Sequence, residues 1–225
     1  MLGLWWVASP SRIAGHVAPN KIPFSGTVLA VQPRIRLTRS FDERSHTYQG
    51  FVLRIEGEGA GPAGSLIVAL GEGAQAKHGF RPGDLVSGEG EPVADGRREI
   101  ADLYKVAKLK RTPATESTTA PPPWLTAPPA LTVYRDRGHR RLDTATFRRK
   151  CANCMWGCEM PVEMIIDQWN PTNVRWRRET FCYGPKSCRL YRAGPARKVP
   201  GRKGMTWVEE DWIDEQDTSH RGQDE

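Results

Sequence analysis

No stretch of the 225-residue sequence approaches the roughly 18 consecutive apolar residues that a membrane-spanning helix requires. The opening MLGLWWVASP is apolar but lacks the basic flank of a secretory signal, so residues 1–21 read as an apolar, loosely packed start. Without an export signal the expected compartment is the reducing cytoplasm. Catalytic signatures are missing as well. There is no P-loop, no nucleophile elbow and no HExxH motif. The five histidines (His16, His46, His78, His139 and His220) are scattered, with no two spaced as a ligand pair. Glu209-Glu210-Asp211 reads as a run of charge rather than an acid–base couple. No hydrolytic or transfer site assembles from these parts, and an enzyme is not the first reading. Cysteine, finally, is absent from the first 150 residues.

What is present is unevenly distributed. All five cysteines (Cys151, Cys154, Cys158, Cys182 and Cys188) fall in the C-terminal third, and in a reducing compartment such clusters are metal ligands rather than disulfides. Charge is divided too. Residues 1–112 carry a net +4, residues 134–204 a net +11, and residues 205–225 a net −7. The cysteine region is therefore strongly basic and is followed by an acidic tail. A basic region attracts phosphate, whereas a solvated surface balanced by its own tail is the plainer alternative. Between the halves, the Pro/Thr-rich segment 113–133 resists both helix and sheet and reads as a stiff spacer, which puts a domain boundary there.

Residues 22–112 read as β-structure. Five runs carry the signal: Phe24–Leu37, Tyr48–Glu56, Ser65–Leu70, Asp84–Val93 and Glu99–Leu109, with turn residues between them. In the second, Phe51, Leu53 and Ile55 alternate with Val52, Arg54 and Glu56. The fourth unit, FRPGDLVSGEGEPV, has a Gly83-Asp84 turn and places Gly88 and Gly90 where a tight barrel must curl; the fifth is IADLYKVAKLKR. This order of signals resembles the OB-fold. That resemblance implies a small five-stranded barrel of a kind that often binds single-stranded nucleic acid or oligosaccharide. The match of residues 59–64 to G-x-G-x-x-G is discounted, because Pro62 and the strand SLIVAL follow where a helix would be needed.

The cysteines are spaced C-x2-C-x3-C, then, after 23 residues, C-x5-C, with a hairpin between the groups. Met160–Trp169 is rich in strand formers, Asn170-Pro171-Thr172-Asn173 is a turn, and Val174–Phe181 returns. A turn centred between Pro171 and Thr172 sets Met160 opposite Tyr183 and brings both cysteine groups to the open end, within bridging distance of a metal. The arrangement resembles a zinc ribbon, from which C-x5-C in place of C-x2-C departs. Zinc is the first reading of the cofactor and a [4Fe–4S] cluster the alternative. Cys154, Cys158, Cys182 and Cys188 form the preferred quartet. Cys151 is the spare, unless it replaces Cys158 in a knuckle with Cys154.

Basic residues surround this cluster: Arg175 and Arg177 on the returning strand, then Arg189, Arg192, Arg197, Lys198, Arg202 and Lys203. Arg34 and Arg36 point one way on the first strand. Together these ten side chains form an expected phosphate-contacting face, with Trp176, Tyr183 and Tyr191 as surfaces for base stacking. The sequence thus predicts a mainly β protein: an OB-like barrel, a spacer, a cysteine-ligated metal hairpin (134–204) and an acidic tail. Its predicted function is nucleic-acid binding, single-stranded or structured, with a structural metal site. The alternative is an iron–sulfur redox or electron-transfer accessory protein docking on a protein partner.

Overall fold

The computed structural model describes residues 20–40, 44–57, 64–114, 127–167, 169–200 and 204–223. The chain is mainly β. Five strands come first: β1 (Ile22–Arg39), β2 (Arg44–Glu56), β3 (Ser65–Leu70), β4 (Leu85–Pro92) and β5 (Leu103–Thr112). Helix α1 (Glu72–His78) lies between β3 and β4. It was not expected from its glycine-rich sequence, yet its ends are well marked. Glu72 sits in the first turn, Lys77 and His78 in the last, and Gly79 closes it in the left-handed conformation at φ 59°. The fifth strand begins at Leu103 rather than Glu99, because Glu99 turns its carboxylate onto the N–H groups of Ile100 and Ala101.

The five strands form a hydrogen-bonded ring. β1 pairs with β4 through Ile22–Thr27 and with β2 through Thr27–Arg39. β2 pairs with β3, β4 with β5, and a single parallel pair, Val68 with Leu103, joins β3 to β5. The ring is therefore thin at that seam. Gly90 matters to the curl: a Cβ there would stand 2.9 Å from Leu103 Cβ, so any larger residue would force β4 away from β5.

The rest of the chain adds to the same sheet. After α2 (Leu131–Arg137) come β6 (Arg140–Arg141), α3 (Thr144–Thr146) and a π-helical turn (Phe147–Cys151). Hairpin strands β7 (Gly157–Ile165) and β8 (Val174–Cys182) follow, then β9 (Arg197–Pro200), β10 (Thr206–Glu209) and α4 (Asp211–Asp217). β7 runs parallel to the end of β1, with Leu37, Thr38 and Arg39 opposite Val162, Glu163 and Met164. One buried cluster contains Val31, Ile35 and Leu53 of the ring together with Met160, Val162, Phe181 and Tyr183 of the hairpin. The expected spacer thus does not divide two cores. Its residues 115–126 lie outside the described ones, and on either side of them the chain packs into one sheet.

The hairpin register differs from the expected one by four residues. Met160 pairs with Glu179 and Gly157 with Cys182. The cause is local: the Asp167 side chain accepts from the N–H of Trp169 at 3.0 Å, an Asx turn that ends β7 at Ile165.

The acidic tail is not loose. Glu209, 1% exposed, pairs with Arg39 at 2.6 Å and Arg44 at 3.0 Å. Asp217 takes Arg44, while Asp211 and Asp214 take Arg141. Its carboxylates neutralise buried arginines of the ring and of β6, which would otherwise be uncompensated charges in a low-dielectric interior. No described helix is long and apolar enough to cross a membrane.

Candidate metal centre

The cysteine end of the hairpin is built by three segments held from behind. The π-helical turn ends at Cys151; the chain then bends back so that Cys154 N–H donates to Cys151 O and Gly157 N–H to Cys154 O, both at 3.0 Å. A Cβ at position 157 would lie 2.5 Å from Cys151 O, so only glycine allows this bend to meet the start of β7. Gln32, buried on β1, donates to Cys154 O at 2.8 Å and Cys151 O at 3.3 Å, and its own oxygen accepts from Arg54 at 3.1 Å. Tyr134 OH holds Met155 O at 2.9 Å. On the other side, Arg140 holds Pro185 O at 2.9 Å, and Cys188 N–H closes a turn onto Pro185 O at 3.2 Å. Gln32, Arg54, Tyr134 and Arg140 were not among the expected site residues. Nothing local in the sequence marks them, since each reaches the site across a large separation along the chain.

The sulfurs divide into two groups by strand face. Directly paired residues of an antiparallel hairpin share a face. Cys182 pairs with Gly157, whereas Cys158 pairs with Phe181 on the opposite face. Cys158 is accordingly fully buried in the ring's core, with Sγ 3.4 Å from Pro33 O. Cys151, Cys154 and Cys182, each 7% exposed, share a separate buried cluster with Leu142 and Phe147, against which Trp156 and Tyr191 pack. Cys188 is half-buried outside that cluster, close enough for its charge to act on Cys151 and Cys182. The preferred quartet containing Cys158 is therefore corrected. Cys151, the expected spare, is the thiol that shares the buried cluster with Cys154 and Cys182.

Burial pushes the Cys151 thiol up to about 11, and the charges of Cys182 and Cys188 add to that. Burial also pushes Cys154 up to about 12, with the backbone N–H of Trp156 working against it, and it raises Cys182 against the N–H of Gly184. Gly184 N–H donates to Cys182 Sγ at 3.3 Å. Both bends thus aim a backbone donor at the sulfur two residues earlier in the chain. Among the described residues, no group of three or more His, Cys, Asp or Glu side chains stands close enough to hold a metal ion as placed.

The expected basic face is largely used up inside the molecule. Arg34 is ion-paired with Glu99, and Arg177 with Glu179. Arg197 is buried against Glu179 and Thr180 O. Arg36 lies over Trp176 at 5.6 Å, and Arg98 stands at 5.4 Å from the same ring. Arg175, Arg189, Arg192 and Lys198 remain exposed, while Arg202 and Lys203 lie outside the described residues. The expected stacking surfaces are covered as well. Tyr183 is fully buried, Trp176 has guanidinium partners, and Arg140 sits 4.0 Å from the centre of the Tyr191 ring. Searches against family models, curated proteins and solved structures return no match for this chain.

Proposed function

We propose that this chain is a nucleic-acid-binding protein whose binding end is fixed by a thiolate-held metal ion, zinc in the first reading. The observation that carries the metal is the gathering of Cys151, Cys154, Cys182 and Cys188 at one end of the hairpin, with backbone N–H groups directed at Cys154 and Cys182. Such donors stabilise thiolate character and orient ligands from the outer shell. Zinc takes four sulfurs at about 2.3 Å, so binding would draw these side chains together and tie the 140–156 segment to the 182–188 segment. Cys158 stays in the core and takes no part. The ring order β1-β2-β3-β5-β4-β1, with α1 between β3 and β4, supports an OB-type barrel as the scaffold.

A second reading has its own support. Cys151, Cys154 and Cys182 lie among Phe147, Trp156 and Tyr191, and a [4Fe–4S] cluster is tuned by such shelter and by hydrogen bonds to sulfur. Purification under anaerobic conditions followed by metal analysis separates the two. Colourless protein with one zinc per chain supports the first reading; brown protein with iron and acid-labile sulfide moves the function to electron transfer with a protein partner. Metal-free protein with all five thiols titratable ends both.

A further inference from the structure

We infer that the nucleic-acid surface is a rim of cations around the cysteine end, formed by Arg148, Arg149, Lys150, Arg189 and Arg192, and that it takes the phosphate backbone of a duplex. This deepens the reading proposed above and rests on it. Arg148, Arg149 and Lys150 are consecutive and exposed on the π-helical turn that delivers Cys151. Arg189 directly follows Cys188, and both it and Arg192 are exposed. The two groups belong to one surface, because Asp143 N–H, at the foot of α3, donates to Arg192 O at 2.9 Å.

What sets this rim apart is that its charge is uncovered. The arginines of the ring and of β8 find carboxylates: Arg34 with Glu99, Arg39 with Glu179 and Glu209, Arg111 with Asp84, Arg141 with Asp214. Among the described residues, none of the five rim cations makes an ion pair. Arg192 spends one nitrogen on the carbonyls of Arg189 and Tyr191, which orders it without neutralising it. Asp143, the cap of α3, is close enough to feel Arg149 but bonds Thr146.

Two further observations choose the ligand. A protein-binding patch carries an apolar centre inside its polar rim, whereas nucleic-acid interfaces are polar and positive throughout. Among the described residues, the exposed large hydrophobic side chains (Ile22, Leu85, Val133, Trp169, Met205, Trp207, Val208 and Trp212) all lie outside segments 138–156 and 182–195. The second concerns bases. Single-strand binding relies on open aromatic faces, and here Arg140 covers Tyr191 while Arg137 stands 4.6 Å from the Trp156 ring. With stacking surfaces closed and guanidinium forks open, the rim suits phosphates presented in fixed geometry by a duplex.

The test uses the full chain with its metal and fluorescence anisotropy on a labelled duplex and the matching single strand. Five released counterions predict that duplex affinity falls roughly 500-fold between about 50 and about 200 mM salt. The variant Arg148→Ala/Arg149→Ala/Lys150→Ala should retain metal content and unfolding midpoint, yet lose only about 12-fold over the same salt range. Arg189→Ala/Arg192→Ala forms an independent arm, checked by the same metal and stability measurements. A triple variant that binds like the parent overturns the rim. So does a preference for the single strand, or polyglutamate competing as well as duplex, which would assign the surface to an acidic protein. If no oligonucleotide binds even at low salt, the nucleic-acid reading itself falls, while the metal measurement stands or fails separately.

Discussion

The two ends of the hairpin's neighbourhood treat arginine in opposite ways. Beside the ring, Arg39, Arg44, Arg177 and Arg197 converge on Glu179, Glu209 and Asp217 in a network in which the Arg39 and Glu209 side chains are buried. At the cysteine end, Arg148, Arg149, Arg189 and Arg192 are exposed and, among the described residues, make no ion pair. A net charge read from sequence cannot tell these apart. The basic groups of residues 134–204 look like one basic surface, but Arg141 is satisfied by Asp211 and Asp214 of the C-terminal segment, and Arg177 and Arg197 by Glu179. The remainder is what a partner can meet.

The sharpest way to break this contrast is to remove a buried carboxylate. Glu179 takes Arg39, Arg177 and Arg197, so Glu179→Gln should cost about 3–5 kcal/mol, as expected when one side of a buried ionic cluster is lost. Urea unfolding followed by tryptophan fluorescence measures it. Truncation before Glu209 should be as damaging, since it strips Arg39, Arg44 and Arg141 together. The sequence alone suggests the reverse, a tail that merely competes for the basic loop. A truncated chain that is stable and binds more tightly would restore that simpler picture.

A second test addresses the two faces of the hairpin. Cys154→Ser and Cys182→Ser should each abolish stoichiometric metal and reduce metal affinity far more than stability of the ring. Cys158→Ser should retain metal while costing about 1–3 kcal/mol, because it puts a hydroxyl into the core beside Pro33 O. Gln32→Leu should lie between, weakening metal binding by about 10–100-fold through the two carbonyls it holds. Metal content by mass spectrometry and competition with a chelator read all four.

These outcomes also show what was legible. The strands were visible because apolar residues alternate in β1 and β2, and hairpin alternation brought the two cysteine groups to one end. The separation of Cys158 from Cys182 was legible too, though missed. Under any register whose paired numbers sum to an odd value, residues 158 and 182 fall on opposite faces, so the expected register already divided them. The register itself failed because Asp167 can begin a turn four residues earlier than Pro171 suggests. Helix α1 was hidden because glycines on both sides of a seven-residue segment look like turn punctuation. The ionic network could not be read at all. Arg39 and Glu179 are 140 positions apart, and Arg44 and Asp217 are 173 apart.

Acid should weaken the buried network more than the rim. His46 is held down to about 4 by burial, with Arg44 and Arg39 adding to the effect, and burial pushes His139, which packs edge-on at 4.7 Å, well below its usual value. A depressed histidine binds its proton more readily in the unfolded chain. Its contribution is therefore complete above pH about 6.5, declines as pH falls from there to about 4, and is flat below that. The His46 shift is worth up to about 3 kcal/mol across that window. His46→Gln should flatten the decline in unfolding free energy between pH 7 and pH 5; an unchanged decline would move the sensitivity to His139.

The smallest expected effect is also the control on the whole contrast. Arg148, Arg149 and Lys150 sit in the last turn of the helical segment that starts at Thr144, where cations gain only a few tenths of a kcal/mol from the helix dipole. Each is exposed and, among the described residues, without an ion-pair partner. Replacing any one by Ala should change the unfolding free energy by no more than about 0.5 kcal/mol, as at other surface positions lacking a specific contact. Arg197→Ala, on a strand only a few residues beyond Arg192, should instead cost several times that, because it leaves Glu179 and Thr180 O short of a donor. The discriminating condition is salt. A loss above about 1 kcal/mol for Arg149→Ala that disappears in roughly 0.5 M salt would reveal a carboxylate partner at the rim, with Asp143 the first to examine. Arg149 would then belong with the paired arginines, and the rim charge available to a polyanion would shrink to Arg148, Lys150, Arg189 and Arg192.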